Sequence, residues 1–257
     1  MAIGFIGTGA ITDAMVRGLL RPPRIVPEII VSPRNREVAS KLAHDFQEVR
    51  IARDNQEVID ACETVVLAVR PQIAEDVIKA LRFREAQTVV SAIATMDRPR
   101  LSRWIGADVT LVQAVPLPAV AHRGGVTAIY PQNEQMAAMF GALGTAISCN
   151  TKTEYDALAA ASALMATYFG VLDVAASWMV GKGLPAELAR GYLTPLFSDL
   201  TEVARSAGPK VAYSELTSEF CTKGGLNEQV LNDFRTYDGP AALTLALDNV
   251  FSRISKN

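Results

Sequence analysis

Ala2-Ile3-Gly4-Phe5-Ile6-Gly7-Thr8-Gly9-Ala10-Ile11-Thr12-Asp13-Ala14-Met15 decides how this chain folds. The run 2–6 is apolar and too short for a helix, which predicts a buried strand. Gly7-Thr8-Gly9 follows at once. From Ala10 to Leu20, Ile11, Ala14, Met15 and Leu19 recur on one helical face. A strand, a glycine turn and a helix in this order open a dinucleotide-binding α/β fold. Gly7 permits the tight turn. Gly9, with no Cβ, lets a pyrophosphate approach the backbone. The free N–H groups and the dipole at the helix start favour that anion. Gly7, Thr8, Gly9, Ala10 and Ile11 are therefore the expected cofactor cradle. The third fingerprint position, usually Gly or Ala, is Thr12.

The next strand, 28–32, runs into Pro33-Arg34-Asn35-Arg36. An NAD site places an acid here to hold the ribose hydroxyls. This chain has none, and Ser32, Arg34 and Asn35 offer donors instead. A carboxylate repels a 2′-phosphate, whereas a guanidinium binds it as a fork, so NADP(H) is the expected cofactor. The stretch 63–69 is continuously apolar, as a parallel strand covered on both faces requires. It ends in Ala68-Val69-Arg70-Pro71, also expected at the cofactor, with Pro71 opening a helix to about residue 81. Further strands are predicted at 48–52, 87–93, 107–115, 124–130 and 146–149. Helices are predicted at 37–46, 55–61 and 135–143. In a doubly wound sheet the carboxyl ends of the strands line one crevice.

Alternation stops near residue 152, and from Thr153 onward the pattern is all helix. Residues 155–180 are apolar on nearly every face, and such a helix must be covered. A partner subunit is the expected cover, which predicts a homodimer through this region. Further helices are predicted at 186–207, 213–220, 227–234 and 241–254. The expected organisation is a Rossmann-like doubly wound domain over 1–152 and an all-α dimerisation and substrate domain over 153–257.

Composition narrows the function. The chain has 257 residues, is 49% hydrophobic and carries a net charge of −2, with no basic tract. That argues against nucleic-acid and anionic-membrane partners. Cys62, Cys149 and Cys221 are far apart, and His44 and His122 are the only histidines. This pattern predicts no disulfide framework and no metal, and fits a reducing cytoplasm. The apolar stretch 157–172 is shorter than the roughly 20 residues of a membrane span. It lies between Asp156 and Asp173, so a buried helix is expected instead.

Read together, these segments resemble the pyrroline-5-carboxylate reductase family along nearly the whole chain. Gly4-Phe5-Ile6-Gly7-Thr8-Gly9 with Ala14-Met15 is similar to that family's glycine turn. Leu67-Ala68-Val69-Arg70-Pro71-Gln72 resembles its LAVKPQ segment, and Gly125-Val126-Thr127-Ala128 its GVTA stretch. Gly181-Lys182-Gly183-Leu184-Pro185 resembles its G-x-x-x-G-L-P region. Thr222-Lys223-Gly224-Gly225-Leu226-Asn227 stands where that family has SPGGTT, and Asp233-Phe234-Arg235 resembles its Gly-Phe-Arg. The resemblance implies an NADP(H)-binding domain, an interlocked helical dimer and hydride transfer to the C=N carbon of a cyclic imino acid. It also implies that the substrate carboxylate lies against the 222–227 loop. Thr222, Lys223, Gly224, Gly225, Leu226 and Asn227 are thus the expected substrate residues, with Thr222 and Asn227 as catalytic candidates. Two departures bear on the substrate. The family's M-P-N-T-P is shortened to Val115-Pro116-Leu117-Pro118, and its two Thr positions are Leu226 and Asn227. Reduction of 1-pyrroline-5-carboxylate to L-proline is the first expectation. The alternatives are reduction of another small imino acid and a non-catalytic NADP(H)-binding dimer.

Overall fold

The computed structural model describes residues 2–256 and divides into two compact units. The first runs to Ser162 and takes back the last turns of the chain from Phe251; the second is Ala163–Val250.

The first unit opens with β1 (Ile3–Ile6), α1 (Ala10–Leu20), β2 (Ile29–Val31), α2 (Arg36–Asp45), β3 (Val49–Ile51) and α3 (Asn55–Ala61). It continues with β4 (Thr64–Leu67), α4 (Pro71–Lys79), β5 (Thr88–Ser91), α5 (Arg98–Ile105) and β6 (Thr110–Pro116). After a 3-10 turn at Pro118–His122 come β7 (Gly125–Tyr130), α6 (Glu134–Gly141), β8 (Gly144–Ser148) and α7 (Lys152–Ala161). The eight strands form one sheet in the order β3-β2-β1-β4-β5-β6-β7-β8. Every pairing is parallel except β6–β7, which is antiparallel. Period-two alternation splits the apolar residues between two cores. Phe5, Val31, Val66, Val90 and Val112 meet α1 and α6 on one face. Ile6, Ile30, Val65, Leu67, Val89 and Leu111 meet α3, α4 and α5 on the other. This two-sided burial explains the consecutive apolar residues Val65–Leu67 of β4 and Val89-Val90 of β5.

Helix α5 is not among the sequence expectations. Leu101 and Ile105 are buried and Trp104 packs partly buried beside them, an apolar stripe confined to the second half of an eight-residue helix. Its ends carry the signal instead. Asp97 caps it by accepting the Arg100 N–H at 2.9 Å, and Gly106 closes it in the left-handed region. The first unit also extends past residue 152, because α7 packs on the sheet. Tyr155 is buried with Ala128 and Cys149, and its ring lies 6.1 Å from that of Tyr130.

The second unit contains α8 (Leu164–Gly181), α9 (Ala186–Ala207), α10 (Tyr213–Phe220) and α11 (Leu226–Thr236). Most of α12 (Gly239–Ser255) follows. Tyr168 of α8 meets Phe197 of α9 edge-on at 6.0 Å. Within one chain, however, the expected burial of α8 does not occur. None of its residues is buried; Val174 is 71% and Trp178 64% exposed. The stretch Lys152–Gly181 reaches a mean hydropathy of 1.6 and is long and apolar enough, by length and composition, to cross a membrane.

Candidate functional site

Strand order reverses between β1 and β4, and there the loops after the two strands diverge to open a crevice. Gly7 forms the turn with φ +96°, and a Cβ on it would run into the Ala68 carbonyl and lie 2.9 Å from Val69 N. The fold itself therefore requires glycine at 7. Gly9 differs. Its φ of −109° suits any residue, and a Cβ there would meet nothing within 4 Å. No protein atom explains the missing side chain, whereas close approach of a phosphate does. Gly9 is also the cap residue of α1 and offers no side-chain cap, so the first amides of the helix, Ala10 and Ile11 among them, are left for a ligand.

Several expected ligand groups are instead consumed by the turn. The Gly7 N–H donates to Ser32 Oγ at 2.9 Å, so neither is free for an anion. Thr8 is buried, and its hydroxyl donates to the Ser32 carbonyl at 2.7 Å. Asn35 caps α2, its Oδ1 accepting the Val38 N–H. Ser32 and Thr8 thus build the loop with their buried side chains, whereas Asn35 spends only its Oδ1 on the cap and stays exposed. Thr12, at the third fingerprint position, is fully buried and donates to the Gly7 carbonyl at 2.6 Å, tying the helix back to its turn. Arg34 is exposed on the loop after β2 and has no ion-pair partner among the described residues. Arg36, beside it, is exposed as well. On the β4 side, Ala68 and Val69 are half-buried at the crevice. Arg70 caps α4 without a side-chain bond, and Pro71 is its first residue.

Beyond β5 and β6 the crevice deepens into a cavity of about 310 Å³. Ile11, Ala92–Met96, Gln113–Pro116, Lys152, Tyr155, Asp156, Ala159 and Ile254 line it, and all belong to the first unit. Gln113 is buried and its Nε2 donates to the Met96 carbonyl, which fixes the amide. Its Oε1 is buried without a hydrogen-bond partner among the described residues. On the far wall Lys152 Nζ donates to both oxygens of Asp156, at 2.7 and 2.6 Å. Burial pushes the neighbouring Tyr155 phenol well above its usual range, so it stays neutral. Sequence reasoning missed Gln113, Lys152 and Asp156.

The 222–227 loop lies in the second unit, between α10 and α11. Thr222 is exposed and its hydroxyl makes no bond among the described residues, while its carbonyl accepts the Gly225 N–H at 2.8 Å. The other catalytic candidate is engaged: Asn227 Nδ2 donates to the Phe220 carbonyl at 3.0 Å. Glu228, absent from the sequence expectations, accepts the Gly224 N–H at 2.6 Å. Lys223 and Leu226 are exposed, and Gly224 turns the chain with φ +73°. Among the described residues no cluster suits a metal ion, and all three cysteines are free.

Comparison with known proteins agrees with this geometry. Residues 2–95 match the family described as NADP oxidoreductase, coenzyme F420-dependent. Over 98% of its length the chain is 26% identical to the pyrroline-5-carboxylate reductase of Pseudomonas aeruginosa, covering 94% of that protein. The crystal structure of 1-pyrroline-5-carboxylate reductase from Streptococcus pyogenes superposes with a TM-score of 0.83 at 22% identity, covering 100% of this chain and 99% of that one. The Plasmodium falciparum pyrroline carboxylate reductase, solved with NADP bound, gives 0.83 at 15% identity over 99% of this chain and 97% of that one. Along nearly its whole length the chain is therefore similar to pyrroline-5-carboxylate reductases, and it shares their fold.

Proposed function

We propose that the chain uses NADPH to reduce the C=N bond of a small cyclic imine, with 1-pyrroline-5-carboxylate giving L-proline as the leading candidate. The observation that carries this is the crevice of the first unit, where Gly9 is bare for no structural reason and the start of α1 is uncapped. The amides of Ala10 and Ile11 would hold the pyrophosphate, and Arg34 the 2′-phosphate. Gln113 Oε1 would accept the carboxamide N–H. When bound, NADPH supplies the hydride. The protein's part is to hold the imine carbon against the ring, and orientation of this kind is worth about 7–11 kcal/mol. In the second unit Thr222 and the 222–227 loop would receive the substrate. The exposed apolar faces of α8 to α12 support a second copy of this chain as their cover, in a reducing compartment such as the cytoplasm.

Glu228 favours a second reading. It already occupies the Gly224 N–H that a substrate carboxylate would use, so a different imine, one that does not need this amide, also fits. An NADPH-oxidation assay over a panel of imines tests both. Turnover with 1-pyrroline-5-carboxylate supports the first reading, and turnover only with other imines the second. Tight NADPH binding without any turnover would overturn both in favour of a non-catalytic dimer.

A further inference from the structure

The cavity beyond β6 contains a lysine that the helix carrying it does not need. Lys152 is the first residue of α7, and Asp156 stands one turn further in. This order opposes the helix dipole, which favours anions at the start, and it reverses the order in which such pairs support a helix. The capping of α7 is already complete without it, since Thr151 Oγ1 accepts the Glu154 N–H and Glu154 reaches back to Thr151 N–H. Asp156, only 4% exposed at its side chain, is also approached by Ser255 Oγ at 3.4 Å from the end of α12. A buried carboxylate held from two sides keeps the ammonium in one place. The ammonium, which has three hydrogens to donate, meets both Asp156 oxygens, and Lys152 also lines a cavity otherwise lined largely by apolar side chains. Ile11, which follows the glycine turn, forms another part of the same wall.

We infer that Lys152 is the acid that protonates the imine nitrogen, with Asp156 as the residue that positions it. The inference rests on the imine-reductase reading above. As a hydride adds to the imine carbon, the C=N π pair moves onto nitrogen. Nitrogen then forms a bond to a Lys152 proton, and the electron pair of the broken N–H bond stays on Nζ. The cofactor is oxidised by two electrons and the imine reduced by two. The neutral lysine regains a proton from water, which reaches a side chain that is 34% exposed. A positioned general acid of this kind contributes about 10²–10⁴-fold to rate.

The test compares a neutral cyclic imine, 1-pyrroline, with the N-methyl-1-pyrrolinium ion, which carries its charge already and needs no proton. In Lys152→Met the ratio of turnover on the imine to turnover on the iminium ion is expected to fall by about 10²-fold or more. Because this change leaves a buried carboxylate unpaired, the double variant Lys152→Met/Asp156→Asn is measured beside it and is expected to show the same ratio. A second readout uses the cofactor-free protein. Calorimetry with 2-pyrrolidinone, whose carbonyl accepts a hydrogen bond but is not reduced, should show about tenfold weaker binding in both variants. Equal losses on imine and iminium, or an unchanged ratio, would overturn the role of Lys152 and leave the reductase reading standing. A wild-type protein that reduces neither compound nor any other imine would overturn the reductase reading itself, and this role with it.

Discussion

Gly7 and Gly9 are two residues apart and have opposite reasons for being glycine, which yields a paired prediction. Alanine at 7 must adopt φ +96°, a strain of about 1–3 kcal/mol, and must push aside the backbone of Ala68 and Val69. Overpacking of that kind adds about 1–3 kcal/mol, so Gly7→Ala is expected to lose about 2–6 kcal/mol of stability in a denaturant melt. Alanine at 9 meets no atom within 4 Å and keeps an ordinary backbone. The only structural cost is a poorer cap, within about 1 kcal/mol. For a dinucleotide the same methyl stands where the pyrophosphate must lie. Charge-assisted bonds from the α1 amides are worth about 1.5–3 kcal/mol each, and losing two raises Kd by about 10²–10⁴-fold. Since the pyrophosphate is common to both coenzymes, NADPH and NADH should weaken together. Calorimetry on a Gly9→Ala protein that melts like wild type decides the matter. Binding of NADPH within threefold of wild type would refute the reasoning, because it would mean that the bare position at 9 serves no ligand.

Other expectations can be checked with the same purified protein. Arg34→Glu should raise the Kd for NADPH by about 10–150-fold, the loss of one charged hydrogen bond, and change that for NADH far less; equal weakening would remove Arg34 from the 2′-phosphate. Sedimentation should find the wild type dimeric and Val174→Asp, at one of the most exposed apolar positions of α8, shifted toward monomer; a wild type that stays monomeric at high micromolar concentration would refute this. Iodoacetamide should label Cys221 first, because Cys62 and Cys149 are buried and burial raises both thiols, Cys62 to about 11. The Cys62 shift also sets a pH dependence. The unfolded thiol ionises from about pH 8.5 while the folded one stays protonated, so stability is full below that pH and declines toward pH 11. In Cys62→Ala the alkaline part of the stability profile should be flatter, and an unchanged slope between pH 9 and 11 would show that another group sets it.

The sheet was legible because its signal is collective. Each of β1, β4 and β5 is covered on both faces, so consecutive residues at its centre are apolar and the run stands out from its surroundings. The polar loop residues gave no comparable signal. Ser32, Thr8 and Asn35 are donors and acceptors by type, but type does not say which partner a group will find. Ser32 Oγ is taken by the Gly7 N–H, and Asn35 Oδ1 by Val38. Arg34, too long and too charged to be consumed by a tight turn, has no ion-pair partner among the described residues. The same limit applies at 222–227, where Asn227 answers to Phe220 and the neighbouring Glu228 takes the Gly224 amide.

The cavity residues were illegible for a different reason, and that reason bears on how such sites can be found. Gln113 sits inside an apolar strand, and Lys152 at the start of a helix whose apolar length dominates the reading. Neither belongs to a motif. Each nevertheless breaks a local rule: a long amide at a fully covered sheet position, and a cation placed against a helix dipole with its anion on the wrong side. A fold tolerates such violations when something outside it compensates. For Gln113 the structure supplies half of the compensation, the Met96 carbonyl, and leaves Oε1 unmet. For Lys152 it supplies a buried carboxylate that holds the ammonium beside the cavity. Both residues line a single cavity that also includes Ile11, the residue two past Gly9. Two independent departures from local preference, converging on one empty volume, are better explained by a ligand than by two unrelated accidents of packing.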